Sequence, residues 1–259
     1  MEDTDTATTP AEPESASMNF FQRLAGVYFE PTKTFRDINI KTTWIGIFLI
    51  SALVSMAFAY VVSSRVDVGA ITRQALENSP IKLSEEQLNQ LEARAAAQQS
   101  SPVSRITSLV TSPISSIIMY LIMAGIFLLI FMLMGAQLKY KKALATTIWG
   151  FAPPSIIQQI LSIAILFLKE PYTADPTQGI VMSHLGGLVD QKAHSVLHSI
   201  ASSIDLFSIW TIILLSIGFA AISDKKMTTK KAAAGILILW VLYILGKVGF
   251  RAVFSGITG

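Results

Sequence analysis

The sequence predicts an all-α, polytopic integral membrane protein: a bundle of five transmembrane helices with an interfacial N-terminal helix. Three observations carry that expectation. Charged residues make up 14% of the 259 positions and hydrophobic residues 52%, where soluble domains carry about 25% charged residues. Five apolar runs recur along the chain at close to bilayer-crossing length, about 20 residues each. Between them, Lys and Arg gather in alternate connections. An outer-membrane barrel would instead alternate in segments of about ten residues, and no such alternation is present. Backbone polar groups in hydrocarbon must be paired within their own segment, so the runs are read as helices.

Residues 1–18 are acidic and rich in Pro, Thr and Ser, with almost nothing to bury, the composition of a disordered tail. They lack the basic start and apolar core of a secretory signal, so membrane targeting is expected from the first span. The membrane domain is expected over 19–256. Between Asn19 and Ile38 the character changes. Phe20, Leu24 and Tyr28 recur at i, i+4, i+8, flanked by Phe21 and Val27, while Arg23, Lys33, Arg36 and Lys41 supply a basic side. That combination suits a helix lying in the membrane interface, with Phe20, Phe21, Arg23, Tyr28, Trp44 and Trp210 as interfacial anchors along the chain. The competing reading is a helix packed on the protein itself.

The spans are placed at 44–62, 113–138, 143–168, 206–223 and 232–250, with connecting segments at 63–112 and 169–205 on one side. Trp44 and Tyr60 bracket the first span as an aromatic belt would. Arg23, Lys33, Arg36 and Lys41 precede it. Lys139, Lys141 and Lys142 join the second and third spans, and Lys225, Lys226, Lys230 and Lys231 join the last two. Five spans put all three clusters on one side, which short-loop Lys/Arg excess marks as cytoplasmic. The N-terminus is therefore expected inside and the C-terminus outside.

In the first outer segment Ser84 and Gln87 form a capping box, ahead of a narrow stripe of Leu88, Leu91 and Ala95. A surface helix is expected there, bracketed by Pro80 and Pro102. The second outer segment begins with Pro171 and Pro176 and turns helix-like from about Ile180, with Gly186-Gly187 as its break. Gly125, Gly135, Gly218, Gly235, Gly246 and Gly249 read as close-packing positions between helices.

The pieces Arg23-Leu-Ala-Gly-Val27 running into Pro31-Thr-Lys-Thr-Phe35, Ala143 through Trp149 and Gly150 to Pro153-Pro154, and Ile204 to Trp210 with Ile217-Gly218 together resemble the Yip family, in its bacterial branch. These are membrane proteins named for binding Ypt/Rab GTPases in eukaryotes. The similarity runs from roughly Phe20 to Tyr243. It implies a five-helix membrane domain with a cytosolic N-terminus, placed by the bacterial branch in the inner (plasma) membrane. Eukaryotic members carry a longer cytosolic N-terminal region; here that region is short, and a small GTPase is not an expected partner. For bacterial relatives the resemblance implies no established activity.

Asp205, Lys247 and Arg251 are the ionisable residues the spans place together. With the fifth span starting near Ala232, Lys247 lies about 22 Å across at 1.5 Å per residue, in the outer part of a core about 30 Å thick. Arg251 follows one turn on, and Asp205 opens the fourth span from the same side. An ion pair latching spans four and five, or an Asp N-cap in the headgroups, competes with a proton or ion relay, and the structural role, a latch, is preferred because a first-turn Asp also suits the helix dipole. Pro153 and Pro154, near mid-span in the third run, imply a helix kink or break. With Gln158 and Gln159 beyond them, this is the feature that would serve a small transporter or permease component. Asp190, His194 and His198 recur at i, i+4, i+8, a spacing that can hold a metal, although surface histidines are the plainer reading.

No catalytic constellation, nucleotide loop or cofactor motif is present in the sequence, and zero cysteines exclude thiolate and zinc-thiolate chemistry. Neither metal nor cofactor is expected, and the protein is not expected to be an enzyme. Basic residues are dispersed and the net charge is only +3, unlike a nucleic-acid footprint. The expected partners are the lipid bilayer and other membrane proteins, with a homo-oligomer allowed. The expected role is a non-enzymatic scaffold or adaptor.

Overall fold

A computed structural model describes residues 16–77, 83–168, 180–190, 194–223 and 227–257, side chains at 195 and 250–257 excepted. The expected tail up to residue 15, Pro80, Pro171, Pro176, Lys225 and Lys226 lie outside the described residues. Ten α-helices follow in order: α1 Phe20–Phe29, α2 Pro31–Ile40, α3 Ile45–Arg65, α4 Val68–Glu77, α5 Glu85–Ser100, α6 Pro102–Leu133, α7 Tyr140–Leu168, α8 Ser195–Ala201, α9 Leu206–Ile222 and α10 Thr229–Ile257. Helices α3, α6, α7 and α10 are long and apolar enough to cross a membrane. α9 has 17 residues, about 26 Å at 1.5 Å per residue, at the short end of what spans a bilayer. The fold is all-α and polytopic, and among the described residues it holds one isolated bridge, His184 to Asp205, and no strand.

The bundle is organised on α7, whose residues from Ala143 to Gly150 are all buried. A helix apolar all round belongs in a core, and small residues at Ala143, Ala145, Gly150 and Ala152 let α3, α6 and α9 pack around it. A rank of aromatic rings joins three spans: Phe131 stacks on Phe219 at 4.5 Å, Phe127 lies 5.1 Å from Phe219, and Phe151 sits between Phe127 and Tyr120 at 6.3 and 6.1 Å. α10 leans on α9 and meets α6 where Gly235 faces Met134 and Ile130.

Gly218 is a close-approach position as expected. A Cβ there would lie 2.7 Å from Thr146 Cγ2 and 2.9 Å from Phe35 Cε1. Overpacking of this kind costs typically about 1–3 kcal/mol. Gly218→Val should therefore lower thermal stability in detergent by that order, whereas Gly125→Ala, with nothing within 4 Å of a Cβ, should leave it unchanged. Gly135 plays a different part: its φ of +89° turns the chain between α6 and α7, a conformation glycine adopts without a Cβ clash.

The second span begins earlier than the apolar run suggested. Helix α6 starts at Pro102 and carries Pro113 inside it; Pro102 occupies N1, where its missing N–H has no helical partner to lose. The segment ahead of it forms two helices. The Ser84/Gln87 capping box is present at the start of α5, and Leu88 is buried. Arg73 on α4 ties that helix to α5 through Glu85 at 2.8 Å and Glu92 at 3.2 Å, with Glu77 at 2.8 Å. Those hydrogen bonds and charges, led by Glu77, raise its already high pKa further. In the second connection, the helix expected from Ile180 onward is replaced by a 3-10 turn at Leu185–Leu188 and the seven-residue α8, because Gly186-Gly187 interrupt it and residues 183–185 pair back on 204–206.

Candidate functional site

The feature that stands apart from a plain bundle is the hairpin of α1 and α2. An Asn19–Gln22 capping box starts α1 and Pro31 stands at N1 of α2, so both helices are defined locally within ten residues of Glu30. Arg23 pairs with Asp37 at 2.6 Å, the two side chains only 3% and 6% exposed. A Cβ on Gly26 would run into Thr34 Oγ1. Both pairs are centred on residue 30, so the two helices run antiparallel about that corner.

The polar groups inside the hairpin satisfy one another. Asp37 accepts from the backbone N–H of Ser17 at 2.8 Å and of Met18 at 3.2 Å, as well as from Arg23 Nε. Arg23 also donates to Lys41 O at 2.9 Å, to Asp37 O at 3.2 Å and to Thr43 Oγ1. Burial pushes the Asp37 carboxyl up; the hydrogen bonds from Met18, Arg23 and Ser17, with the Arg23 charge, outweigh it and hold the group below its usual range. A buried ion pair whose two groups take further hydrogen bonds is the arrangement in which such a pair is tolerated.

The hairpin enters the bundle from the end that carries Lys139, Lys141 and Lys142. Lys142 Nζ donates to Asn39 Oδ1, and Asn39 Nδ2 donates to Ala221 O at 3.3 Å. Phe35 lies against Gly218, so α2 descends alongside the last turns of α9. At the other end of the hairpin, Tyr28 Oη donates to Pro153 O at 3.4 Å and its ring lies 5.6 Å from Trp210. Trp210 is twelve residues from Ile222, about 18 Å along the helix. The hairpin corner beside it carries the exposed Lys33–Glu30 pair at 3.1 Å.

Two apolar stripes result. Phe20, Leu24, Val27 and Tyr28 face inward and pack on the core, with the Phe20 ring 6.3 Å from Trp149. Phe21, Ala25 and Phe29, also at i, i+4, i+8, face outward, Phe21 74% and Phe29 84% exposed. Of the anchors expected from sequence, Phe21 alone is exposed. Phe20, Tyr28, Trp44 and Trp210 are half-buried, Trp44 against Phe48 at 6.2 Å. Arg23 is the correction: it does not join a basic outer side with Lys33 and Arg36 but is buried, because Asp37 lies on the facing helix. Phe29 extends this outward stripe, and its spacing of eight residues from Phe21 is the sequence signal for it.

The Yip1 domain family model matches residues 25–250. The chain belongs to the Yip1 domain family. No curated protein and no solved structure matches it. The match to the Yip1 domain includes the second half of α1, all of α2, α3, α6, α7 and α9, and α10 up to Phe250, and its first residue lies two positions after Arg23.

At the far end of this Yip1 domain lie the residues of the expected charged latch. Asp205 is the N-cap of α9: it accepts from Phe207 N at 2.8 Å, Ser208 N at 3.3 Å, Ser183 Oγ at 3.3 Å and Ser208 Oγ. Lys247 Nζ donates to Ser203 Oγ at 3.1 Å. Asp205 and Lys247 line one cavity of about 420 Å³ together with Gln158, Gln159 and His184. Arg251 lies on α10, its side chain outside the described residues. Pro153 and Pro154 are buried within α7, which runs unbroken from Tyr140 to Leu168, so the broken helix of a transporter is not formed. Asp190, His194 and His198 do not share a helix face, because α8 begins only after His194. Asp190 and His194 are exposed, whereas His198 is buried. Among the described residues no group of three acidic, His or Cys side chains is placed to hold a metal.

Proposed function

We propose that this Yip1-domain protein is a non-enzymatic membrane module that acts through lipid and through other membrane proteins, with the α1–α2 hairpin as its working part. The basic end faces the cytoplasm, by the Lys/Arg excess of the short connections, so the N-terminus is inside and the C-terminus outside a bacterial plasma membrane. The observation that supports this reading is the outward apolar stripe of a hairpin held beside the basic end of the bundle. Phe21, Ala25 and Phe29 offer lipid or a neighbouring span an apolar surface there. The ion pair holds the hairpin in that place. An unbalanced leaflet favours curvature, and amphipathic insertions act in this way.

Reconstitution in large liposomes tests the proposal. The wild-type protein should narrow the vesicles, measured as a diameter distribution by electron cryomicroscopy, and Phe21→Gln/Phe29→Gln should lose most of that effect while still folding. Unchanged diameters with the wild type, or equal narrowing by the double variant, would overturn it.

A further inference from the structure

Helices α3 and α6 pack along one another, and at the end of the bundle opposite Lys139, Lys141 and Lys142 a groove of about 420 Å³ opens between them and α5. One wall is apolar: Phe58, Ala59 and Val62, from the last two turns of α3. The facing wall is polar. Ser104, Ser108 and Ser112 recur at i, i+4, i+8 along the first three turns of α6, with Arg105 beside them.

A hydrocarbon core about 30 Å thick takes about 20 residues at 1.5 Å per residue. Counted from the first residue of α3, Ile45, that length ends at Ser64; counted back from the last residue of α6, Leu133, it ends at Ile114. Ser63 and Ser112, both lining the groove, stand next to those two ends. The groove therefore straddles the level at which acyl chains give way to headgroups, Phe58 and Ala59 on the hydrocarbon side and Arg105 on the headgroup side.

Several polar groups of the groove are already engaged. The Gln99 amide donates to Ser63 O at 3.2 Å and Val66 O at 2.6 Å, and its oxygen accepts from Val68 N at 3.2 Å. Ser63 donates to Tyr60 O at 2.7 Å and Ser108 to Ser104 O at 2.9 Å. Arg105 differs: its guanidinium makes no hydrogen bond or ion pair, and among the described residues no carboxylate lines the groove. Arg73, at the same end, is by contrast held by three glutamates. The Ser112 hydroxyl, nearer the hydrocarbon, is likewise unpaired within the chain. A planar guanidinium suits a phosphate, which it meets through two parallel N–H bonds. A choline headgroup would set a second cation near Arg105 with no acid to offset it, so the groove favours a lipid of net negative charge.

We propose that the α3–α6 groove seats one anionic phospholipid of the leaflet opposite the lysine-rich end. Its phosphate meets Arg105, a glycerol ester accepts from Ser112, and an acyl chain lies along Phe58, Ala59 and Val62. Photo-crosslinking of the full chain tests this in place, in phosphatidylcholine liposomes doped with a trace of phosphatidylglycerol or phosphatidylcholine carrying an acyl-chain diazirine, the adducts mapped to residues by mass spectrometry. In the wild type, adducts at Phe58 and Ser112 should form about tenfold more from phosphatidylglycerol, the scale of one hydrogen bond to a charged group. Leu53, exposed on the same helix, should label equally from both lipids. Arg105→Gln should bring the groove ratio to about one and leave Leu53 unchanged. Ala59→Trp, which fills the apolar wall, should lower phosphatidylglycerol adducts at Ser112 with Arg105 intact. Equal labelling of the wild-type groove by the two lipids, or an unchanged ratio in Arg105→Gln, would overturn the headgroup assignment. Unchanged adducts in Ala59→Trp would overturn the place given to the acyl chain. Millimolar inorganic phosphate, against chloride at matched ionic strength, should leave the wild-type ratio as it is; a ratio that collapses would assign Arg105 to a free anion and end the lipid reading.

Discussion

Arg23→Ala should destabilise the protein by about 3–5 kcal/mol, the usual consequence of removing one partner from a buried ion pair. The cost arises on the other side of the pair. Asp37 would keep its backbone donors from Ser17 and Met18 but lose the Arg23 charge, leaving a carboxylate 5% exposed without a cation. Lys41 O would lose its donor as well. Asp37→Ala should be comparably severe, since Arg23 would then be the unmatched charge. Arg23→Met/Asp37→Leu should recover much of the loss, because replacing both partners by apolar groups of similar volume is often neutral. Thermal unfolding in detergent measures the stability term, and trypsin cleavage at Lys33 and Arg36 measures docking of the hairpin. If the single variants melt and digest like the wild type, the ion pair does not hold the hairpin in place.

Trp149→Ala should cost a similar amount, about 3–5 kcal/mol, the range for emptying a large buried aromatic site. Trp149 is 1% exposed in the middle of the α7 core, and Phe20 lies against its ring. Its Nε1 also donates to Thr43 O at 2.8 Å, at the corner between the hairpin and α3. Trp149→Phe keeps a ring but abandons that carbonyl, and its hydrogen-bond share should be about 1–3 kcal/mol. Unfolding of the two variants in the same detergent separates packing from hydrogen bonding. Equal losses in Phe and Ala would assign the whole effect to the Thr43 contact.

Much of the architecture is legible in the sequence because its causes are local. Five apolar runs of bilayer length become helices wherever they sit, since hydrocarbon offers their backbones no other partner. Ser84 with Gln87 starts a helix by bonding two residues three positions apart, and Gly218 announces a close approach by lacking a side chain. The hairpin was half legible. Its inward stripe of Phe20, Leu24 and Tyr28 has helical spacing, and its Pro31 start is a sequence signal. What the pattern could not state is which of two opposite apolar stripes turns inward. Asp37, the only acid between Pro31 and Thr43, was the clue that Arg23 had a partner.

The sequence by itself determined the number of apolar helices, the basic character of their alternate connections and the capping of several helix starts. Each depends on neighbours within a turn or two, or on the thickness of the bilayer. Only the tertiary structure decided that Arg23 is buried against Asp37, that Tyr28 meets Pro153 and Trp210, and that Asn39 joins Lys142 to Ala221. Those outcomes depend on which helix faces which. Residues fourteen to more than a hundred positions apart then supply the partners, and no local rule chooses among them.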